Sequence, residues 1–280
     1  MSAVSRTEFP GVALITGAGG TGIGSAVAHA FVREGCRKVI LTDVNPTTLE
    51  STCTSLKALA EHSGKEEKIA ILVVSGDISD STFVDHLFSR IKEDFGRLDY
   101  AVNCAGIIGN NLPSSESAVE DFDRINGVNY KGLWLCSRKE LELMKGQEIR
   151  ERAEYGGVRI QRGSIVNIAS QLGIVGRPNA PIYCASKSAV IGLTRCDAID
   201  YSPHLIRVNA VCPGIIDTPM VNNRPTGAPA MDISKSIAIA PMNRVGKPEE
   251  VADVCLFLCS EKASFVQGAA WLVDGGYTIN

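Results

Sequence analysis

The stretch Val12-Ala-Leu-Ile-Thr-Gly-Ala-Gly-Gly-Thr-Gly-Ile-Gly24 decides the fold. Residues 12–16 form a short apolar run of strand length. A glycine-dense turn follows, and then Ile23, Val27, Ala30 and Phe31 recur at helical spacing, with Gly35 as a plausible stop. Strand, tight turn and helix in that order make a βα unit. The glycines let the turn tighten and let backbone N–H groups approach a pyrophosphate, and the helix N-terminus adds partial positive charge. Gly17, Gly19, Gly20, Thr21, Gly22 and Ile23 are therefore candidate cofactor contacts. The competing reading is a glycine-rich βα loop that binds nothing.

The same alternation extends along the chain. Strand-like runs fall at 12–16, 39–42, 69–74, 98–102, 164–168, 207–211 and 269–273. Between them lie helical stripes: Leu49, Cys53, Leu56 and Ala60, then Val84, Leu87, Phe88, Ile91 and Phe95. One long helix is expected over 122–144, and others over 183–201 and 249–259. Continuous apolar strands imply a parallel sheet covered on both faces. Right-handed crossovers then give an α/β, doubly wound, seven-stranded sheet flanked by helices. No repeat or linker divides the chain.

The 280 residues are 45% hydrophobic with a net charge of −3. A basic field for nucleic acid or anionic membrane is absent. No apolar run reaches the roughly 18 residues of a membrane span, and residues 1–10 lack a signal core. A cytoplasmic protein is expected, with no nucleic-acid or membrane partner. Nine cysteines without a CxxC pair read as buried free thiols, and four scattered histidines give no metal site.

Asp43 ends the second strand, 19 residues after Gly24. That spacing suits a carboxylate accepting from an adenosine ribose hydroxyl. A 2′-phosphate there would meet like charge, and Val44, Asn45 and Pro46 supply no cation. The cofactor expectation is NAD, with NADP less favoured. Asp77-Ile78 and Asn103-Cys-Ala-Gly106 follow the third and fourth strands, where Asp77, Ile78, Asn103, Ala105 and Gly106 are further cofactor candidates.

Tyr183-Cys-Ala-Ser-Lys187 puts Tyr183 and Lys187 on one helix face. An ammonium beside a phenol favours the phenolate, which can exchange a proton with an alcohol. Ser170 lies 13 residues upstream, and Asn129 sits on the preceding helix. Alone, each is a weak signal.

In this order, 16–24, Asp43, Asp77, 103–106, Asn129, Ser170, Tyr183, Lys187, Pro213-Gly214 and Val273-Asp-Gly-Gly276 make the chain resemble the short-chain dehydrogenase/reductase (SDR) family over about 11–276. The resemblance implies one NAD-binding Rossmann domain over 1–280, with a substrate lid at about 218–245. It implies Tyr183 as general acid/base, Lys187 lowering its pKa and binding the nicotinamide ribose, Ser170 polarising the substrate oxygen, and Asn129 holding a relay water. Pro213, Gly214, Ile216 and Thr218 would meet the nicotinamide carboxamide. The reaction implied interconverts a secondary alcohol and a ketone. Met220, Val221, Met231 and Ile233 in the lid suit a hydrophobic or aromatic small molecule, and Gln171, Leu172, Ile174 and Asn179 are expected in the same cleft. A dimer or tetramer is implied, with Trp134 and Leu135 on an interface helix. A second reading is an epimerase, dehydratase or cyclase using the cofactor transiently or not at all; a third is a dinucleotide sensor, which would need no complete catalytic set. Two departures stand out. The glycine loop is one residue longer than the family's, and Cys104 replaces the second Asn of the usual NNAG turn. The charged segment 145–162 reads as an exposed excursion without chemistry.

Overall fold

The computed structural model describes residues 9–62, 68–149, 159–222 and 233–279. Seven strands form one parallel sheet in the order β3-β2-β1-β4-β5-β6-β7. They are β1 (Val12–Thr16), β2 (Lys38–Asp43), β3 (Ala70–Ser75), β4 (Tyr100–Asn103), β5 (Gly163–Ile168), β6 (Ile206–Pro213) and β7 (Ala270–Val273). The helices are α1 (Ile23–Arg33), α2 (Pro46–His62), α3 (Ser81–Phe95), α4 (Val119–Asn126), α5 (Leu133–Gly146), α6 (Pro181–Tyr201), α7 (Pro219–Asn222), α8 (Ile233–Ile239) and α9 (Pro248–Cys259).

Strand residues alternate between the sheet's faces, so each strand feeds two cores. Ala13 and Ile15 of β1 join Val27 and Phe31 of α1, Leu49 and Leu56 of α2, and Val251 and Cys255 of α9. Val12 and Leu14 face the other way, toward Leu87 and Ile91 of α3 and Leu141 and Met144 of α5. Every residue of β1, β4, β5 and β6 is buried. The edge strands β3 and β7 are only partly covered, and Trp271 is exposed at the β7 edge.

The strand order reverses between β1 and β4. A crevice opens there at the carboxyl ends, where doubly wound folds bind ligands. Thr16 closes its floor: its Oγ1 accepts the Ala105 N–H at 3.1 Å.

The helix expected over 122–144 is not one regular helix. Between α4 and α5 the chain widens into a π-helical stretch, Gly127–Gly132. The cause is Asn129. Its side chain turns inward and is fully buried, accepting from Ile107 N at 2.8 Å and donating to Ile107 O at 2.9 Å and Ser186 Oγ at 3.1 Å. Such bulges mark functional positions in helices. In the segment expected to be an excursion, 150–158 lie outside the described residues. Its flanks are anchored: Gln147 Nε2 donates to Leu98 O and Arg162 O, both at 2.7 Å.

A polar ladder runs through the second core. Asn103 Nδ2 donates to Glu140 Oε2 and Asn167 Oδ1, both at 3.0 Å, and Asn167 Nδ2 donates to Thr194 Oγ1 at 3.0 Å. Glu140 has no exposed surface, and burial pushes its carboxyl from 4.5 up to about 8, with Asp197 adding to the rise. As a carboxylate it would leave Glu140 Oε1 and Asn103 Oδ1 unpaired. A proton on Glu140 turns one of its oxygens into a donor. Between pH 4.5 and about 8 the folded chain therefore holds a proton that the unfolded chain has released, so this contribution is lost as pH rises. Glu140→Gln, which copies the neutral acid, is expected to match wild type in thermal melts at pH 4 and to exceed it increasingly up to pH 8. Glu140→Ala should lose about 2–4 kcal/mol at pH 4. Parallel pH dependence in wild type and the Gln variant would contradict the neutral assignment.

Candidate active site

The glycine loop is held at both ends by contacts that exclude side chains. A Cβ on Gly24 would lie 2.2 Å from Gly17 O, and one on Gly17 would lie 2.7 Å from Ala105 Cα. Gly17 also has φ +64°, the left-handed region that favours glycine. So α1 starts almost against the end of β1.

The extra residue of the loop is taken up toward β2 and α2. Ala18 N donates to Thr42 O at 3.1 Å, Gly19 N to Asp43 Oδ2 at 2.9 Å, and Gly20 N to Thr48 O at 3.4 Å. Thr52 Oγ1 donates to Ala18 O at 3.0 Å. The Gly19 and Gly20 N–H groups are thus used inside the protein. The start of α1 is free of a side-chain cap at Gly22, and open space lies over Gly20 and Gly22. An uncapped helix start beside open space is chemically suited to receive an anion. Asp43 also accepts from Asn45 N at 2.9 Å. A carboxylate has about four acceptor sites, so capacity remains for a ribose hydroxyl. A Cβ at Gly19 would meet the Thr48 Oγ1 at 2.5 Å and the Asp43 carboxyl at 3.0 Å, so a side chain there would have to displace both. The residues present fit a dinucleotide.

Asp77 Oδ1 accepts from Ser79 N at 2.8 Å, and Ile78 is buried beside Gly132. The Asn103 side chain is committed to Glu140 and Asn167, which leaves its backbone for any cofactor contact. Gly106 lies between two candidate residues: its Cβ position is 3.3 Å from Asn129 Oδ1 and 3.4 Å from Lys187 Nζ.

Ser170, Tyr183 and Lys187 come together in an open-mouthed cavity of about 900 Å³. Ile23 and Gly106 line it from the dinucleotide side, as do Pro213, Gly214, Ile216 and Thr218. Ser170 begins a 3₁₀ turn and accepts the Leu172 N–H at 3.1 Å, which fixes its hydroxyl. Pro181 at the first turn of α6 sets the helix that presents Tyr183 and Lys187 one turn apart. Lys187 Nζ donates to Ile168 O at 2.8 Å and lies 5.8 Å from the Tyr183 ring centroid.

Burial raises the Tyr183 phenol above 10, opposed by the Ser170 hydroxyl and the Arg177 charge. Burial lowers the Lys187 ammonium to about 8. Sequence reasoning attached the phenol's tuning to Lys187 alone; Ser170 and Arg177 are the groups that oppose its rise here. Burial pushes up the thiol of Cys104, which stands in the place of the family's asparagine, and so disfavours its thiolate.

Gln171 and Leu172 line the cavity as expected, together with Met220 and Val221 from the lid segment. Ile174 is exposed instead, and Asn179 lines a neighbouring cleft on the far side of Tyr183. Met231 lies outside the described residues. Sequence reasoning missed Glu140, although Leu133, Cys136, Glu140, Leu141 and Met144 recur at helical spacing along one buried face.

A family model described as "Enoyl-(Acyl carrier protein) reductase" matches residues 17–278. A short-chain dehydrogenase of Penicillium roqueforti is 38% identical over 275 residues, 97% of each chain. The chain belongs to the short-chain dehydrogenase/reductase family. The 2-(R)-hydroxypropyl-CoM dehydrogenase of Xanthobacter autotrophicus is 37% identical over 270 residues, covering 95% of this chain and 98% of that one. The crystal structure of a short-chain type dehydrogenase/reductase from Mycobacterium marinum superposes with a TM-score of 0.83 at 29% identity, over 98% of this chain and 97% of that one. This is an oxidoreductase family whose cofactors are NAD or NADP.

The packing at Gly24 makes a direct expectation. Gly24→Ala should lower stability by about 1–3 kcal/mol, because the methyl would press on backbone that cannot move aside. A thermal midpoint equal to that of wild type would show that the strand end and helix start are not in contact.

Proposed function

We propose that this short-chain dehydrogenase/reductase uses NAD to interconvert a secondary alcohol and a ketone on a hydrophobic or aromatic small molecule. The observation that carries the reading is the convergence of Ser170, Tyr183 and Lys187 in one largely apolar cavity walled by Pro213, Gly214 and Thr218. A bound nicotinamide supplies hydride acceptance and donation. The Thr21–Gly24 turn and Asp43 would hold the adenosine and phosphate end, and Lys187 the nicotinamide ribose.

Tyr183 and Ser170 hold the substrate oxygen between them. In oxidation the Tyr183 oxygen takes the hydroxyl proton; in reduction it returns one. Ser170 donates to the same oxygen and stabilises the charge that develops there. The phenol must ionise against its burial, and the Ser170 hydroxyl and the Arg177 charge favour the phenolate; the Lys187 ammonium, charged below about 8, would add to them. Asn129 ties the π-helical stretch to Ile107 and Ser186, and through them to both walls of the site. Its role in a proton relay would follow from the backbone that the wide turn leaves available.

The segment 218–245 is read as the substrate lid of a single domain spanning 1–280, with Met220, Val221 and Ser236 as its described cavity-lining residues. Ser236 belongs to α8. Two exposed apolar faces support self-association into a dimer or tetramer. Tyr130, Trp134 and Ile199 mark the α5–α6 side, and Phe265 and Trp271 mark the β7 edge. Leu135 faces the core instead. None of the described helices is long and apolar enough to cross a membrane.

Tyr183→Phe should reduce NAD-linked oxidation of secondary alcohols by at least about 100-fold while NADH affinity stays within a few-fold. Turnover at the wild-type rate in that variant would remove Tyr183 from the mechanism.

A further inference from the structure

Among the described residues, several buried polar side-chain atoms have no hydrogen-bond partner. Of the residues that carry them, Gln171 alone lines the catalytic cavity. It follows Ser170 directly and is 5% exposed. Neither end of its carboxamide is hydrogen-bonded to a described residue. The Oε1 end packs on Gly214, 2.9 Å from where a Cβ would sit, so glycine there makes room for it. The Oε1 atom is buried without a partner, and a buried acceptor left so costs about 1–3 kcal/mol. Native proteins keep such groups rarely, and a site awaiting a ligand is one reason to keep one.

Position gives the amide a purpose. A second cavity of about 530 Å³ lies under α8, bounded by Ile237, Ala240, Met242 and Val273. It shares a wall with the catalytic cavity, and Gln171, Gly214, Ile216, Ser236 and Tyr277 line both. A substrate whose reacting oxygen lies on Ser170 and Tyr183, and whose body extends toward α8, passes the Gln171 amide. Ser170 and Gln171 are adjacent in the chain, and the 3₁₀ turn holds their separation constant. Both side chains line one cavity, so a group that meets the amide belongs near the reacting carbon. A carboxamide both donates and accepts, so it matches a hydroxyl or a carbonyl.

We propose that Gln171 is the specificity-determining residue of the cavity and selects substrates with a second hydroxyl or carbonyl next to the reacting carbon, on an otherwise apolar body. This rests on the redox reading of the same cavity. Simple secondary alcohols leave the amide unpaired and are the poorer substrates. A site built to hydrogen-bond a group discriminates strongly against analogues that lack it.

The test compares 2-hydroxyacetophenone with acetophenone. Calorimetry on the full chain saturated with NAD⁺ measures binding where no hydride is available for reduction. In wild type the hydroxyketone should bind about tenfold more tightly. Gln171→Met keeps the side-chain length without the hydrogen bonds and should erase that advantage. Acetophenone and NADH affinities should stay within about twofold, since neither ligand is assigned to the amide. Gln171→Leu gives the same comparison if the Met variant fails to fold. An advantage that survives the substitution overturns the assignment, as does equal binding in wild type or failure of both ketones to bind. A variant that loses NADH affinity instead assigns the amide to the nicotinamide end of the site, which also overturns it. The same ketones are then offered with NADH. Gln171-dependent binding with no NADH consumed from either ketone refutes the redox reading and leaves the recognition role standing. Consumption with both ketones and no Gln171-dependent contrast does the reverse.

Discussion

The close approach of three backbone segments at the sheet's reversal point organises this molecule. The end of β1, the start of α1 and the turn after β4 meet with no room for side chains at Gly17 and Gly24. The Thr16 hydroxyl then ties β1 to Ala105. Because the strand end and helix start are so near, the first-turn N–H groups of α1 open onto the crevice. Because Ala105 is fixed against Gly17, Gly106 is fixed beside Asn129 and Lys187. The dinucleotide cradle and the catalytic half are two sides of one contact. The longer glycine loop leaves that contact unchanged, because its extra length is bonded to Thr42, Asp43, Thr48 and Thr52 rather than pushed into the crevice.

Behind the crevice a second constraint holds the catalytic helix. The ladder from Glu140 through Asn103 and Asn167 to Thr194 links α5, β4, β5 and α6 in the apolar core. Thr194 and Lys187 share α6 and lie seven residues apart, two turns along the same face. A buried polar network that is fully satisfied rigidifies its surroundings, and one that is half satisfied costs stability. In this one, burial pushes the Glu140 carboxyl up to about 8, which favours its neutral form below that pH. Tyr183 and Lys187 thus stand on a helix pinned from below, while Ser170 is pinned by its own 3₁₀ turn.

Periodicity made the sheet legible. Seven apolar runs became seven strands within a residue or two, since buried parallel strands have few other ways to be written. The tight turn of the glycine loop was legible because its geometry restricts the residue types at Gly17 and Gly24. Ser170, Tyr183 and Lys187 became readable only as a set, since each alone recurs by chance. The π-helical stretch was hidden: α-helical spacing continues through it in sequence, and only the inward hydrogen bonds of Asn129 reveal the change. Glu140 was readable as a buried position but not as a neutral acid, because its partners Asn103 and Asn167 are brought in by β4 and β5. The Gln171 amide was legible as a cleft residue, but its unpaired state depends on what surrounds it in space.

The account depends most on Asp43 facing a ribose hydroxyl across the glycine loop. Fluorescence titration of the full chain with NADH and, separately, NADPH measures that dependence directly. We expect NADH to bind at least about tenfold more tightly, since a 2′-phosphate would be held against the Asp43 carboxylate. Tighter binding of NADPH, or binding of neither by a folded sample, would contradict it.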